Sequence, residues 1–172
     1  LFQKQVESLR LGFDKGESLV KNLSLVLTDG CNFACRYCIH FASLGCKQLP
    51  NKTNVMAEVD AYRALIVYHN ELRRNGSSKS RINFGGGEPL LVFDLIKAIV
   101  ERVEAEFGTD FDHEFTLNTN ASLVTDAMSS FFAHHNFLIA TSLDGLPDVS
   151  DTVRVFGDGS PASSTIIEGI TR

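Results

Sequence analysis

The sequence predicts an α/β fold, a partial (βα) barrel of parallel strands in which the 172 residues supply about four βα units. Three observations lead there. Short apolar runs alternate with longer stretches of helical period four times over, the pattern of parallel strands joined by right-handed crossovers with the helices on one face. The chemistry-bearing residues gather just after those runs, where the sites of such folds lie. Four strands leave an open edge, so the chain reads as the front portion of a barrel.

In chain order, residues 1–22 mix charged and apolar groups without a sustained period. They read as an extended or hairpin-like lead-in, and residues 23–172 form the core unit. The run Leu23 to Leu27 is the first strand, broken by Thr28-Asp29-Gly30. A turn-rich loop continues to Pro50. Asn54 reads as the N-cap of a helix from Val55 to Asn75, with Gly76 at its C′ position. Val59, Tyr62, Leu65, Ile66 and His69 fall at helical spacing on its inner face. Arg81 to Phe84 is the second strand, and Leu91 to Phe107 the second helix, with Leu95, Ile96, Ile99, Val100 and Val103 inward. A third strand spans His113 to Asn118. Thr125 caps a third helix that turns Met128, Phe131 and Phe132 inward. The apolar run Phe137 to Leu143 reads as a buried fourth strand. A long connection, Asp144 to Ser160, leads to a last helix from about Ala162.

Composition narrows the class. Hydrophobic residues make up 44% and charged residues 22%, ordinary values for a globular chain. A net charge of −5 with scattered basic residues gives no nucleic-acid or membrane surface. No apolar run approaches transmembrane length and no signal peptide opens the chain. Four cysteines without such a signal point to a reducing, cytoplasmic compartment. The first residue is Leu1 rather than methionine, which reads as a trimmed N-terminus.

Cys31, Cys35 and Cys38 stand at CxxxCxxC spacing directly after the first strand. Thiolates this close can converge on a shared metal centre with a short loop around it. A cubane [4Fe–4S] cluster takes one protein ligand per iron. Three ligands leave one iron open to a small molecule, which is a sign of chemistry rather than electron storage. A structural zinc site completed by His40 as Cys3His is the competing reading, and a disulfide pair finds no supporting secreted framework. After the second strand, Gly85-Gly86-Gly87-Glu88-Pro89 is neither a P-loop nor a Rossmann turn. Consecutive glycines let a backbone come close to a ligand. Exposed carbonyls with the Glu88 carboxylate would suit a cationic amino group.

These paired motifs resemble the radical S-adenosylmethionine superfamily, over about residue 23 to the end. Thr141-Ser142-Leu143-Asp144-Gly145, then Arg154, Gly157-Asp158-Gly159-Ser160 and Glu168-Gly169-Ile170 are similar to the branch of peptide and protein maturases that carry a C-terminal SPASM or twitch extension. That branch includes the anaerobic sulfatase maturases and enzymes that crosslink ribosomally made peptides. The resemblance implies that Cys31, Cys35 and Cys38 ligate three irons of a [4Fe–4S] cluster and that S-adenosylmethionine chelates the fourth. It places Tyr37 against the adenine and the Gly85 to Glu88 stretch, chiefly Gly86, Gly87 and Glu88, on the methionyl amino group. Ser142 and Asn120 would reach the ribose, and Arg154 the carboxylate. The implied reaction is reductive cleavage to a 5′-deoxyadenosyl radical that modifies a peptide or protein. The implied partners are that substrate and a flavodoxin- or ferredoxin-type electron donor. Sulfatase-maturase-type oxidation is the enzymatic alternative, and a non-catalytic iron–sulfur or zinc binding module the alternative of another class.

The chain departs from the pattern at three places. Asn120-Ala121 stands where many relatives have Asn-Gly, so the turn there must differ. Ser150-Asp151 replaces His-Asp, and Ile39-His40 follows the last cysteine of the motif where an aromatic is common. Cys46 is assigned no role, and His134-His135 sit at a helix end where a dipole contact explains them.

Overall fold

The computed structural model describes residues 20–39 and 53–172. The lead-in, apart from 20–22, lies outside the described residues, as do His40 and Cys46. Four strands alternate with helices: β1 (Leu23–Thr28), α1 (Glu58–Arg74), β2 (Lys79–Gly86), a 3-10 turn (Pro89–Val92) running into α2 (Phe93–Phe107), β3 (Asp112–Thr119), α3 (Asp126–His134), β4 (Leu138–Thr141), the short α4 (Pro147–Ser150) and α5 (Ser163–Thr171). All neighbouring strands pair in parallel, in the order β1-β2-β3-β4. This is the open βα sheet that the alternation predicts.

Side-chain alternation divides the sheet into two unlike faces. Leu25, Leu27, Ile82, Phe84, Phe115 and Leu117 are buried on one, under α1 and α2. Burying each such side chain contributes about 1.5–3 kcal/mol. Ile96, Ile99, Val100 and Val103 of α2 meet them as predicted. The other face carries Ser24, Arg81, Asn83, Glu114, Thr116 and Asn118. There Asn83 Oδ1 accepts hydrogen bonds from Thr116 Oγ1 at 2.9 Å and Asn118 Nδ2 at 3.1 Å. Arg81 pairs with Glu114 at 3.3 Å.

Local cap chemistry decides two helix ends. Thr125 Oγ1 accepts from the Met128 N–H at 3.2 Å and starts α3. Gly76, at φ +63°, ends α1, with its N–H on the Arg73 carbonyl and the Ser77 N–H on Leu72.

The start of α1 differs from the sequence reading. Asn54 is not its N-cap: Ala57 takes that place, and Asn54 is held beside β1 by its Nδ2 and backbone N–H on the Asp29 carboxylate, at 2.6 and 2.7 Å. The Met56 N–H bonds the Leu27 carbonyl at 2.8 Å, which keeps 54–56 extended beside β1. The helix therefore begins at Glu58 and buries Ala61, Leu65, Tyr68, His69 and Leu72, leaving Val59 exposed. β4 also differs. It is shorter than the apolar run, and all four of its residues are exposed. Among the described residues it is the sheet's edge, with β3 on one side only.

Candidate functional site

The cysteine loop leaves β1 through a turn in which Thr28 Oγ1 accepts from the Gly30 N–H at 3.0 Å. Its anchor is Phe33, only 1% exposed, whose ring stands edge-on to Phe156 at 4.8 Å between centroids. Ala162 and Ile166 complete that small core, with Cys31 and Cys35 packed against it. The backbone is stitched to 153–156 by Ala34 N–H to the Val155 carbonyl and Arg36 N–H to Val153, at 2.8 and 2.9 Å. On its other side Asn32 donates to Ser122 Oγ and accepts from Asn120 Nδ2, both at 2.8 Å.

The glycine stretch runs against this loop. The Gly87 N–H bonds the Thr28 carbonyl at 2.8 Å and the Glu88 N–H the Gly30 carbonyl at 2.7 Å. Gly86 has φ +136°, and a Cβ there would overlap the Thr28 carbonyl oxygen. Glycine is required because two backbones touch. The Glu88 carboxylate is fully buried. It accepts from Thr119 Oγ1 and the Asn120 N–H at 2.7 Å each, and from the Leu90 N–H at 3.0 Å. Burial pushes its pKa up, opposed by those three donors.

A cavity of about 340 Å³ opens at the C-terminal ends of the strands. Cys31, Cys35, Cys38 and Tyr37 line it from the cysteine loop. Gly86, Gly87, Asn118 and Asn120 line it from β2, β3 and the turn after β3. Ser142 and Arg154 close the side beyond β4. The residues that the sequence assigns to the cluster and the cofactor all line it except Gly85 and Glu88. Gly85 pairs with Val26 inside the sheet. Glu88 spends its carboxylate on its own chain, so the backbone of Gly86 and Gly87 is what this motif presents to the cavity. A larger cavity, about 470 Å³, lies along β4 between α3 and α5, lined by Phe132, Ile139 and Ile170 among others. It is the groove of the open edge and holds none of the cysteines.

Burial pushes the Cys31 thiol up to about 11, opposed by the Phe33 N–H at 3.4 Å from its sulfur. Burial raises Cys35 as well, with Arg154 pulling the other way. All three cysteines are free thiols. Among the described residues no three His, Cys, Asp or Glu side chains are arranged around a single metal ion. A cubane gives each cysteine its own iron, so its ligands need not meet at one point. Three soft sulfur donors along one wall of a cavity fit such a group.

A family model described as the Radical SAM superfamily matches residues 25–172. The chain belongs to the radical SAM superfamily. It is 24% identical over 156 residues to the cysteine-type anaerobic sulfatase-maturating enzyme of Clostridium novyi, covering 88% of this chain and 40% of that one. It is 31% identical over 137 residues to GTP 3′,8-cyclase 1 of Mycobacterium tuberculosis, covering 77% of this chain and 34% of that one. The structure of native anSMEcpe with bound AdoMet and Cp18Cys peptide has the same fold, at TM-score 0.68 and 21% identity over 88% of this chain and 39% of that one. This radical SAM chain thus spans less than half the length of these relatives.

Three residues of the radical SAM site carry more than the sequence indicates. Asp144 accepts from Tyr37 Oη and Arg154 Nε, each at 2.6 Å. Asn32 and Thr119 tie the cysteine loop and Glu88 to the turn after β3. The sequence signal for them is their placement: Asn32 inside the cysteine motif, Thr119 beside Asn120, and Asp144 within the Thr141 to Gly145 stretch. Asp151, in the Ser150-Asp151 departure, accepts from the Ala162 and Ser163 N–H groups at 3.1 and 2.8 Å and so starts α5. Ala121, in the Asn120-Ala121 departure, holds φ +62°, the left-handed region that favours glycine, with alanine in place. Among the described residues no helix is long and apolar enough to cross a membrane.

Proposed function

We infer that this chain carries the cofactor site of a radical S-adenosylmethionine enzyme that modifies a peptide or protein. The observation that carries the reading is the shared wall: three free cysteines and the Gly86-Gly87 backbone, Ser142 and Arg154 around one cavity. Cys31, Cys35 and Cys38 would hold a [4Fe–4S] cluster, and the wall opposite would hold S-adenosylmethionine. When bound, the pair supplies one-electron reductive cleavage to a 5′-deoxyadenosyl radical, which abstracts hydrogen from the substrate.

The chain's own residues bind and orient. The carbonyls of Gly86 and Gly87 would take the methionyl ammonium, Ser142 the ribose, and Arg154 the carboxylate as a bidentate fork. Tyr37 would cover the adenine. Glu88 acts from behind, and on the wall itself Asn120 Oδ1 already accepts from the Ser122 N–H and Oγ, so its amide braces the turn. Phe33 and Phe156 keep the loop's inner side dry.

A peptide or protein substrate, for crosslinking or oxidation, fits better than a nucleoside triphosphate. Asn118 is common to the cavity and the polar sheet face. Among the described residues the basic side chain on that face, Arg81, is paired with Glu114, which is no match for a triphosphate. The likeness to a sulfatase-maturating enzyme and to a peptide-bound structure supports this reading. A flavodoxin- or ferredoxin-type protein would deliver the electron.

The test is anaerobic reconstitution of the full-length protein with iron and sulfide, then dithionite and S-adenosylmethionine, and chromatography for 5′-deoxyadenosine. The product is expected, and its loss in Cys35→Ala. A fully loaded protein that forms none would return the site to a metal-binding module without catalysis.

A further inference from the structure

We propose that Asp144 is a positioning residue that aims the Arg154 guanidinium into the cavity, so that recognition of a ligand's carboxylate depends on a group that never touches the ligand. The proposal rests on the reading that the cavity takes S-adenosylmethionine.

The geometry is specific. One oxygen of Asp144 accepts from Arg154 Nε at 2.6 Å and from Tyr37 Oη at 2.6 Å. Arg154 lines the cavity and Asp144 does not. The Arg154 side chain is 12% exposed, so its rotamers are confined by the wall it lies in. Its Cζ stands 5.4 Å from the centre of the Tyr37 ring. With Nε engaged, the terminal Nη1 and Nη2 have no hydrogen bond to any described residue. A guanidinium held by Nε keeps its terminal edge free for a planar, bidentate acceptor. The carboxylate of an amino-acid moiety is such an acceptor.

The bridge joins three separate segments: the cysteine loop through Tyr37, the stretch after β4 through Asp144, and the 153–156 segment through Arg154. The wall that meets the anion is thereby fixed to the loop that carries the metal ligands.

Two effects of Asp144 oppose each other. Its negative charge repels an incoming carboxylate, while its hold on Nε removes the rotamer freedom of Arg154. Short, charge-assisted geometry at both contacts favours the second.

The experiment measures equilibrium binding of S-adenosylmethionine, and of its decarboxylated analogue, to full-length cluster-loaded protein without reductant. Asp144→Ala is expected to weaken S-adenosylmethionine about tenfold and to leave the analogue within about twofold, with Arg154→Ala giving a similar loss and the double variant no further loss. Should Asp144→Ala not fold, Asp144→Asn carries the same comparison, with a loss of about threefold confined to the carboxylate-bearing ligand. Equal losses for both ligands, additive losses in the double variant, or unchanged or tighter binding in Asp144→Ala would overturn the assignment. Wild-type protein that binds neither ligand would overturn the cavity reading itself, and this proposal with it.

Discussion

Thr119 Oγ1 donates to Glu88 Oε1 across 2.7 Å of buried space, and the same hydroxyl accepts from the Ala121 N–H at 3.0 Å. β2 and β3 are thus joined at their C-terminal ends by a carboxylate that faces no solvent. Removing it strands three donors, and each unsatisfied buried group costs about 1–3 kcal/mol. Glu88→Ala is expected to lower unfolding stability by on the order of 3 kcal/mol, and Thr119→Val by about 2 kcal/mol, in urea titrations of the full-length protein. A Glu88→Ala protein of wild-type stability with weakened S-adenosylmethionine binding would instead mean that the carboxylate touches the ligand.

Gly169 of α5 lies so close to the Ala121 turn that a Cβ on it would overlap the Ala121 carbonyl oxygen. Ala121 itself is buried and already in the left-handed region. Gly169→Ala is expected to destabilise by about 1–3 kcal/mol. It should also reduce the iron bound after reconstitution, because the displaced turn carries Asn120 and Ser122, which hold Asn32. Full iron content with a wild-type unfolding midpoint would show that α5 adapts without disturbing the turn.

The parts legible in the sequence are those set by neighbours along the chain. Strand alternation, the Thr125 cap and the Gly76 end depend on residues within a few positions, and each forms as read. The site's location followed from topology, since strand ends in a parallel sheet lie together. The rest depends on distant partners. Asn54 has the chemistry of an N-cap, but Asp29, 25 positions earlier, holds it in the segment beside β1, and the helix starts only after Ala57. The apolar composition of β4 is the same for a central strand and an edge. Glu88 turns inward because Thr119 and the Asn120 N–H arrive from β3 and the turn after it, and Asp144 meets Tyr37 across 107 positions. No local pattern encodes those meetings.

His69 makes stability depend on pH. Its ring is fully buried and stacked on Phe107 at 3.9 Å between centroids. The Leu65 carbonyl, 2.8 Å away, can only accept, so Nδ1 carries the proton and Nε2 accepts from Ser80 Oγ at 3.1 Å. Burial depresses the pKa from 6.5 to about 4, with His113 and Arg73 adding to the fall and Asp110 and the Leu65 carbonyl opposing it. Burial lowers His113 in the same way. A folded pKa below the unfolded one means that the unfolded chain binds the extra proton. The stabilisation is therefore complete above about pH 6.5 and is lost as pH falls from there toward 4. Chemical denaturation between pH 7.5 and 4.5 should show that decline, and His69→Phe should flatten it. An equal slope in His69→Phe would assign the dependence to other groups.

Phe33 is the residue on which the cysteine loop is seated. Its ring fills the space between Phe156, Ala162 and Ile166, and Cys31 and Cys35 pack on the same small core. The loop's other large apolar side chains among the described residues, Tyr37 and Ile39, are exposed, so truncating Phe33 removes its anchor while leaving the main sheet core of Leu25, Phe84 and Leu117 intact. Phe33→Ala is expected to cost about 3–5 kcal/mol locally. Because that core is separate from the main one, the loss should appear as iron released to a chelator at an unchanged midpoint for the sheet. Phe33→Leu keeps most of the volume and should hold its iron, with a penalty of about 1.5 kcal/mol or less. If both variants retain iron equally, the backbone bonds to Val153 and Val155 are sufficient to hold the loop. If both lose it equally, the ring's edge-on contact with Phe156, rather than its bulk, is what seats the cysteines.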